Sequence, residues 1–263
     1  MASDEVCKVL KHEDAASGYR VLELSAPGIA KAAEPGQFVH IKVPTLEESA
    51  LRRPFSIFDA DAATGVLTLL YKKVGRGTDA LSKAAVGDEV AVAGPLGKGF
   101  PATCEGRALL VGGGYGVAPL YFLARRMVES GKAPSEITLF VGGRTKEDLL
   151  ALERFGALGI DMQIATNDGS QGVAGFVTAP LDAVLGSLRG SARHFEFFCC
   201  GPDGLLKAIC ERAVSLGVPG WISVDRHMIC GVGACYACIQ KTLLGNMRCC
   251  VDGPIFKAEE LVW

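Results

Sequence analysis

The 263-residue chain is short of net charge, of histidine and of long apolar runs. Its 27 basic and 29 acidic side chains nearly cancel, leaving a formal net charge of -2. No basic field is available to attract a phosphate backbone, which excludes nucleic acid as a partner. The one membrane-like stretch, ALLVGGGYGVAPLYFLA from Ala108 to Ala124, is shorter than a typical span and carries four glycines and a proline. It predicts a strand, a turn and a helix, and no membrane segment is assigned. The opening MASDEVCKVL is acidic where an export signal is basic and then apolar, so a cytoplasmic address with reduced thiols is expected. The four histidines, His12, His40, His194 and His227, are scattered, and neither a Ser-His-Asp set nor a carboxylate pair stands out. No residue is therefore assigned as catalytic, and the histidines read as ordinary surface or core residues. Internal repeats and low-complexity linkers are absent as well.

Cysteine and glycine, by contrast, are abundant, with ten and 33 copies. In a reducing compartment ten cysteines read as metal ligands or small buried side chains, not as a disulfide framework. The 49% of hydrophobic residues is enough for real cores, and the patterning predicts an α+β protein in three parts. Residues 1–102 show about six short strands at close spacing, among them YRVLELSAPG, GQFVHIKVP, RRPFSIFDAD, GVLTLLYKKVG and GDEVAVAGPLG, the pattern of a small antiparallel β-barrel. Over 103–225 the apolar strands RALLVGG, EITLFVGG, DMQIATND and HFEFFCCG alternate with helical stretches. The clearest helix, GLLKAICERAVSLG, puts Leu205, Ile209, Ala213 and Leu216 on one face. This alternation predicts a doubly wound parallel α/β sheet, closed by GVPGWISVD. Residues 226–263 form a small C-terminal cysteine-rich module.

Within that module Cys230, Cys235 and Cys238 are spaced C-x4-C-x2-C, and Cys249-Cys250 follows eleven residues after Cys238. The first three match the plant-type two-iron two-sulfur spacing, in which a distant cysteine supplies the fourth thiolate. Gly231, Gly233 and Ala234 suit such a loop, because backbone N–H groups must come close to sulfur. Zinc is the competing reading, but zinc ribbons favour two separated C-x2-C knuckles and this chain has one. Spacing alone leaves Cys249 and Cys250 as alternatives.

Two further glycine loops point to nucleotides. LLVGGGYGVAP sets Gly112, Gly113, Gly114 and Gly116 between a buried strand and a helix, where main-chain N–H groups can face a pyrophosphate. CCGPDG, with Cys200, Gly201 and Pro202, ends a later strand, where open parallel sheets bind their ligands. In the barrel, RRPFSI supplies Arg53, Pro54, Phe55 and Ser56, while YKKVGRGT supplies Tyr71, Gly75, Gly77 and Thr78. A guanidinium can pair with phosphate and a hydroxyl can hydrogen-bond a flavin edge.

With R-P-x-S, G-x-G-T, GGGYGVAP and CGP in this order, the first 225 or so residues resemble the ferredoxin-NADP reductase superfamily. With CGVGACYAC and CVDGPIFKAEELVW added, the whole chain is similar to the electron-transfer subunits of type B dihydroorotate dehydrogenase. The resemblance implies FAD on Arg53 to Ser56, Leu70 to Lys72 and Gly77-Thr78, and NAD across the Gly112 to Gly116 loop and near Cys200 to Pro202. It implies a 2Fe-2S cluster on Cys230, Cys235, Cys238 and Cys250, the last standing two residues before the Asp of D-G-P. Tyr115 departs from the aliphatic residue common at its position. Arg144 and Lys146 follow the second sheet strand, where a cation can take the 2'-phosphate of NADP; the resemblance favours NAD.

NADH yields two electrons as a hydride, whereas a two-iron cluster takes one at a time, so a flavin is needed between them. Nothing in the chain remains for the roughly 250-residue barrel that would hold FMN and oxidise dihydroorotate. The expectation is an FMN-containing catalytic partner in a heterotetramer of two plus two, with Phe256 and Trp263 either contacting it or anchoring the tail. The alternatives are a related NAD(P)H-dependent reductase subunit serving ferredoxin or sulfur compounds, several of which vary the first cluster ligand, and a non-catalytic zinc protein on the same fold.

Overall fold

A computed structural model describes residues 3–16, 18–44, 51–101, 103–187 and 194–263. The first six strands are β1 (Ser3–Ala16), β2 (Tyr19–Ser25), β3 (Phe38–Lys42), β4 (Arg53–Asp61), β5 (Val66–Lys72) and β6 (Glu89–Leu96), with short helices α1 (Pro27–Ala32) and α2 (Arg76–Leu81) between them. Burial alternates regularly along β6, so one face fills an interior, whereas β3 and β5 are buried along nearly their whole length. The strands close into an antiparallel barrel in the order β1-β2-β5-β4-β3-β6. Leu22, Ile41, Ile57, Leu69 and Val92 are fully buried in its core.

The second half contains β7 (Arg107–Gly113), α3 (Val117–Glu129), β8 (Ile137–Gly143), α4 (Leu152–Ala157), β9 (Asp161–Thr166), β10 (Val173–Ala174), α5 (Thr178–Ser187), β11 (Phe195–Cys200), α6 (Asp203–Leu216) and β12 (Gly220–Ser223). The tail adds β13 (Ile239–Thr242), β14 (Gly245–Arg248) and β15 (Ile255–Lys257). The sheet order is β10-β9-β8-β7-β11-β12-β15. It is parallel up to β12, which pairs antiparallel with β15. The sheet is therefore not closed by GVPGWISVD, as its sequence leads one to expect. The tail returns to cover that edge, with Phe256 buried opposite Ile222. Burying such a ring contributes about 1.5–3 kcal/mol, so Phe256 anchors the tail to its own domain and is not a partner contact. Trp263 stays partly exposed, with the Arg226 guanidinium 6.0 Å from its ring centre.

The apolar stripe of α6 runs through Leu206, Ile209, Cys210 and Ala213. Leu205 and Leu216, expected on that stripe, are only partly buried at its margin, and Leu205 turns to a cavity described below. Barrel and sheet are joined through α3. Tyr121 stacks on Phe58 of β4 at 4.7 Å between ring centres. Arg125 donates to Asp59 at 2.7 Å and to the Ala60 carbonyl at 2.8 Å. The domain boundary expected at 102 falls on a residue outside the described set. Among the described residues no helix is long and apolar enough to cross a membrane.

Candidate functional site

The chain runs from β7 to β10 in one direction along the sheet and then crosses back to place β11 on the other side of β7. Loops leaving the carboxyl ends of β7 and β11 diverge at this reversal and open a crevice, the general ligand position in such sheets. They also touch. A Cβ added at Gly116 would lie 2.5 Å from the Cys200 carbonyl oxygen and 2.8 Å from the Gly201 nitrogen. Only glycine permits that backbone approach, and Gly114 in the same turn has φ +56°.

A cavity of about 950 Å³ fills the space between this crevice and the barrel. Pro54, Phe55 and Ser56 of β4, Leu70, Tyr71 and Lys72 of β5, and Thr78 line one wall, while Gly113, Gly114, Gly116, Cys200, Gly201 and Pro202 line the other. These thirteen expected residues, read from the lining, come together. Arg53, Gly77 and Gly112 stand behind them. Arg53 donates to the Leu51 carbonyl at 2.7 Å and packs over Gly77, where an added Cβ would meet its Nε at 2.7 Å. Gly112 sits in β7, where an added Cβ would meet Val117 at 2.8 Å. The Thr78 hydroxyl is used locally, accepting from the Val74 N–H at 2.9 Å and donating to the Gly75 carbonyl at 3.0 Å. Burial pushes the Cys200 thiol up to about 12, against a hydrogen bond with Ser223, so it faces the cavity uncharged. Tyr115, half exposed, also lines the cavity.

Several lining residues carry no local signal in the sequence. Tyr19 and Asp148, from barrel and sheet, meet across the cleft: the Tyr19 hydroxyl donates to Asp148 at 2.9 Å and accepts from Lys72 at 3.0 Å. Asp148 also accepts from the Arg144 guanidinium at 3.2 Å. Burial raises its pKa, but the bonds from Tyr19 and Arg144 outweigh burial and hold the carboxyl below its ordinary value. Behind the wall, His12 Nδ1 lies 2.8 Å from the Ala84 carbonyl and Nε2 lies 2.8 Å from the Tyr71 hydroxyl. A carbonyl only accepts, so Nδ1 carries the proton and the Tyr71 hydroxyl donates to Nε2. The tail enters the same cavity through Met228 and Pro254. The cysteine loop thus begins two residues from the cavity wall.

From Arg226 to Cys238 the loop has no helix or strand. Gly231 and Gly233 have φ +69° and +83°, and Tyr236 has φ +57°. An added Cβ at Gly231 would meet the His40 ring at 2.6 Å, and one at Gly233 would meet Val251 at 2.7 Å. The loop is therefore pressed between the barrel and the β14–β15 turn. Among the described residues the ligating side chains do not converge into a single metal cage; the thiols approach in pairs. Partial burial raises the Cys230 thiol, but N–H groups of Val232, Cys235 and Ala234 and the Cys235 thiol bring it down to about 6. Cys250 is pushed up to about 12 by burial and then by its hydrogen bond with Cys238, while the Gly233 N–H opposes and Cys230 adds to the rise. Cys249, like Cys250, is buried in the apolar core; its N–H bonds the Cys238 carbonyl at 2.8 Å, and burial pushes its thiol up to about 12. Cys230 with Cys235 and Cys250 with Cys238, the first beside three loop N–H groups and the second beside the Gly233 N–H, supply the four thiolates that a two-iron two-sulfur cluster takes.

Comparison with known proteins agrees with this geometry. An oxidoreductase FAD-binding domain matches residues 6–100, an oxidoreductase NAD-binding domain matches 110–211, and the iron-sulfur cluster binding domain of dihydroorotate dehydrogenase B matches 225–262. The dihydroorotate dehydrogenase B (NAD(+)) electron transfer subunit of Geobacillus kaustophilus is 39% identical over 254 residues, covering 92% of this chain and 93% of that one. The subunit of the same name from Geobacillus thermodenitrificans is 41% identical over 247 residues, covering 92% and 91%. A solved structure described as the NADH-dependent reduced ferredoxin-NADP oxidoreductase, studied for flavin-based electron bifurcation, superposes with a TM-score of 0.85 at 32% identity, over 98% of this chain and 90% of that one. With its three domain types in this order and relatives of this identity over nearly its full length, the chain belongs to the family of dihydroorotate dehydrogenase B electron transfer subunits.

Proposed function

We propose that this chain carries electrons from an FMN-containing dihydroorotate dehydrogenase subunit, through a 2Fe-2S cluster and FAD, to NAD+. The observation that carries the reading is the meeting of three parts at one cavity: barrel residues Pro54 to Ser56, sheet residues Gly113 to Gly116, and tail residues Met228 and Pro254 line it together. FAD supplies the conversion between a two-electron hydride and single electrons when bound. The chain's own residues supply position. Pro54, Phe55, Ser56, Leu70, Tyr71 and Lys72 hold the flavin end, Tyr71 presenting its ring because its hydroxyl is bound to His12. Arg53, packed over Gly77, and Thr78 in the cavity wall serve the diphosphate of FAD. The loops Gly112 to Gly116 and Cys200 to Pro202 hold NAD at the sheet's reversal point. Asp148 lines the cavity and already engages Arg144, which disfavours the 2'-phosphate of NADP; a lower Michaelis constant for NADH than for NADPH is expected.

Cys230, Cys235, Cys238 and Cys250 are assigned as the residues that would hold the cluster, with 226–263 as the cluster module beside an FAD domain over 1–102 and an NAD domain over 103–225. Among the described residues the one closed barrel is that of β1 to β6, and dihydroorotate chemistry is assigned to an FMN-containing partner, in a cytoplasmic complex of two plus two subunits. Exposed Val232, Tyr236, Leu243 and Leu244 give the cysteine module an apolar surface suited to that partner. The 32% identity to a ferredoxin-NADP oxidoreductase structure supports a second reading, a reductase subunit serving ferredoxin. Assay of the purified chain for FAD, iron and labile sulfide, then of dye reduction by NADH, tests the proposal. One FAD, two irons and two sulfides per chain with dye activity are expected; zinc in place of iron would refute it.

A further inference from the structure

His40 lies on β3, two residues from Phe38, and the two side chains leave the same side of the strand. Phe38 lines the cavity, and its ring meets the His40 ring edge-on at 5.8 Å between centres. On its other side the imidazole lies against the cysteine loop: Cε1, Nδ1 and Nε2 are 2.6, 2.7 and 3.0 Å from the position a Cβ would take on Gly231. His40 is only 2% exposed, and its Nε2 has no hydrogen-bond partner. A buried polar nitrogen left in this state destabilises the fold until a partner satisfies it. Burial, then the charges of Arg52 and Arg53, pull its pKa down to about 4, so the ring is neutral near pH 7 and carries one N–H, placed by whichever acceptor is present. Sulfur bearing the charge of an iron–thiolate centre beside Gly231 is such an acceptor.

We propose that His40 Nε2 donates a hydrogen bond to a sulfur on the Cys230 side of the cluster and thereby sets the potential at which electrons cross to the flavin cavity. Its role is positioning and electrostatic: a donor stabilises the more negative, reduced cluster, and hydrogen bonds to sulfur are among the determinants of iron–sulfur potentials. This inference rests on the cluster assignment above. It uses a residue outside the ligand set, carried by the barrel and not by the tail.

The test is a redox titration of the full-length chain, followed by electron paramagnetic resonance, in wild type, His40→Phe and His40→Gln, with iron, sulfide and FAD counted in each. His40→Phe keeps an aromatic ring and removes the donor; His40→Gln restores an N–H at similar reach. The expected result is an unchanged cofactor content and a cluster in His40→Phe that is about tenfold harder to reduce at a fixed ambient potential, about 59 mV for one electron. His40→Gln should recover most of that shift. A change below about twofold with the cluster intact would overturn the proposal, as would a shift that His40→Gln does not reduce, or loss of the cluster from both variants, each of which would make His40 a packing residue. A wild-type chain without iron would instead strike the cluster assignment itself.

Discussion

The nucleotide cavity and the cysteine loop lie side by side but are held in shape by different means. The cavity is made at the ends of sheet and barrel strands, where β4 and β5 stop pairing and diverge, and its two walls are fixed to each other by Phe58 on Tyr121, Arg125 on Asp59 and Tyr19 on Asp148. The loop from Arg226 to Cys238 has no regular structure, three residues at positive φ, and exposed Val232 and Tyr236. It is held at its flanks by Arg226 on Asp203 and Gln240 and by Arg248 on the Gly233 carbonyl, and its thiols add to this only once they ligate metal as thiolates. The difference teaches that one site is formed by folding of the chain, whereas the other is completed by its metal.

The largest effect that would sharpen this contrast is loss of a ligand. Cys250→Ser should remove nearly all cluster iron and its visible absorbance while leaving FAD binding and NADH-driven dye reduction in place; Cys249→Ser should keep most of the cluster. The reverse order, read from iron content and spectra, would assign the fourth ligand to Cys249. Next in size is the strand that joins the two regions. Phe256→Ala opens a hole beneath β15 and should cost about 3–5 kcal/mol, read from the denaturant midpoint, with the cysteine module released from the sheet edge. An unchanged midpoint would break the view that the tail is anchored there.

Within the cavity, Gly116→Val forces the β7 and β11 loops apart, since its Cβ would meet the Cys200 backbone at 2.5 Å. Overpacking of this kind costs about 1–3 kcal/mol, so NADH should bind roughly ten- to a hundredfold more weakly, with cluster and FAD content retained. Equal affinity in a binding titration would show that the loops are not the NAD site. The smallest effect is at the interdomain tie. Asp148→Asn should cost about 1 kcal/mol near pH 7. The Asp148 pKa is held below its ordinary 3.8 in the fold, so its stabilisation is complete above that value and fades as pH falls through the lower, folded one. The stability gap between wild type and variant should therefore shrink only below about pH 4, and a gap that persists there would assign the effect to packing.

The two regions also differ in how far the sequence discloses them. Short strands at close spacing between turn residues in β2 to β6 announce the barrel, and the apolar runs of β7, β8 and β11 alternating with helical stretches announce the parallel sheet, because turn chemistry and apolar runs are local properties. The C-x4-C-x2-C spacing likewise identifies the loop. Partners distant in sequence are another matter. Tyr19 and Asp148 are 129 residues apart, His12 and Tyr71 are 59 apart, and His40 reads as bland until Gly231 is folded against it. Three-residue β15 is too short to show a period, so its place at the sheet edge is invisible in the sequence. On α6 the helical period is plain, but Leu205 and Leu206 adjoin, and only tertiary packing sends one to the cavity and the other to the core. Cys249 and Cys250, equivalent by spacing, differ in the fold in that Cys250 hydrogen-bonds Cys238, a contact between residues twelve apart that spacing does not disclose.

The central claim, that electrons reach the cavity through the cysteine loop from a separate subunit, is tested most directly by mixing the chain with the FMN-containing subunit and following NADH formation from dihydroorotate. No NADH from the chain alone, steady formation from the mixture, and loss of that formation with Cys250→Ser while dye reduction persists are the expected results. Dihydroorotate oxidation by the isolated chain, or undiminished NADH formation by the mixture containing Cys250→Ser, would contradict it.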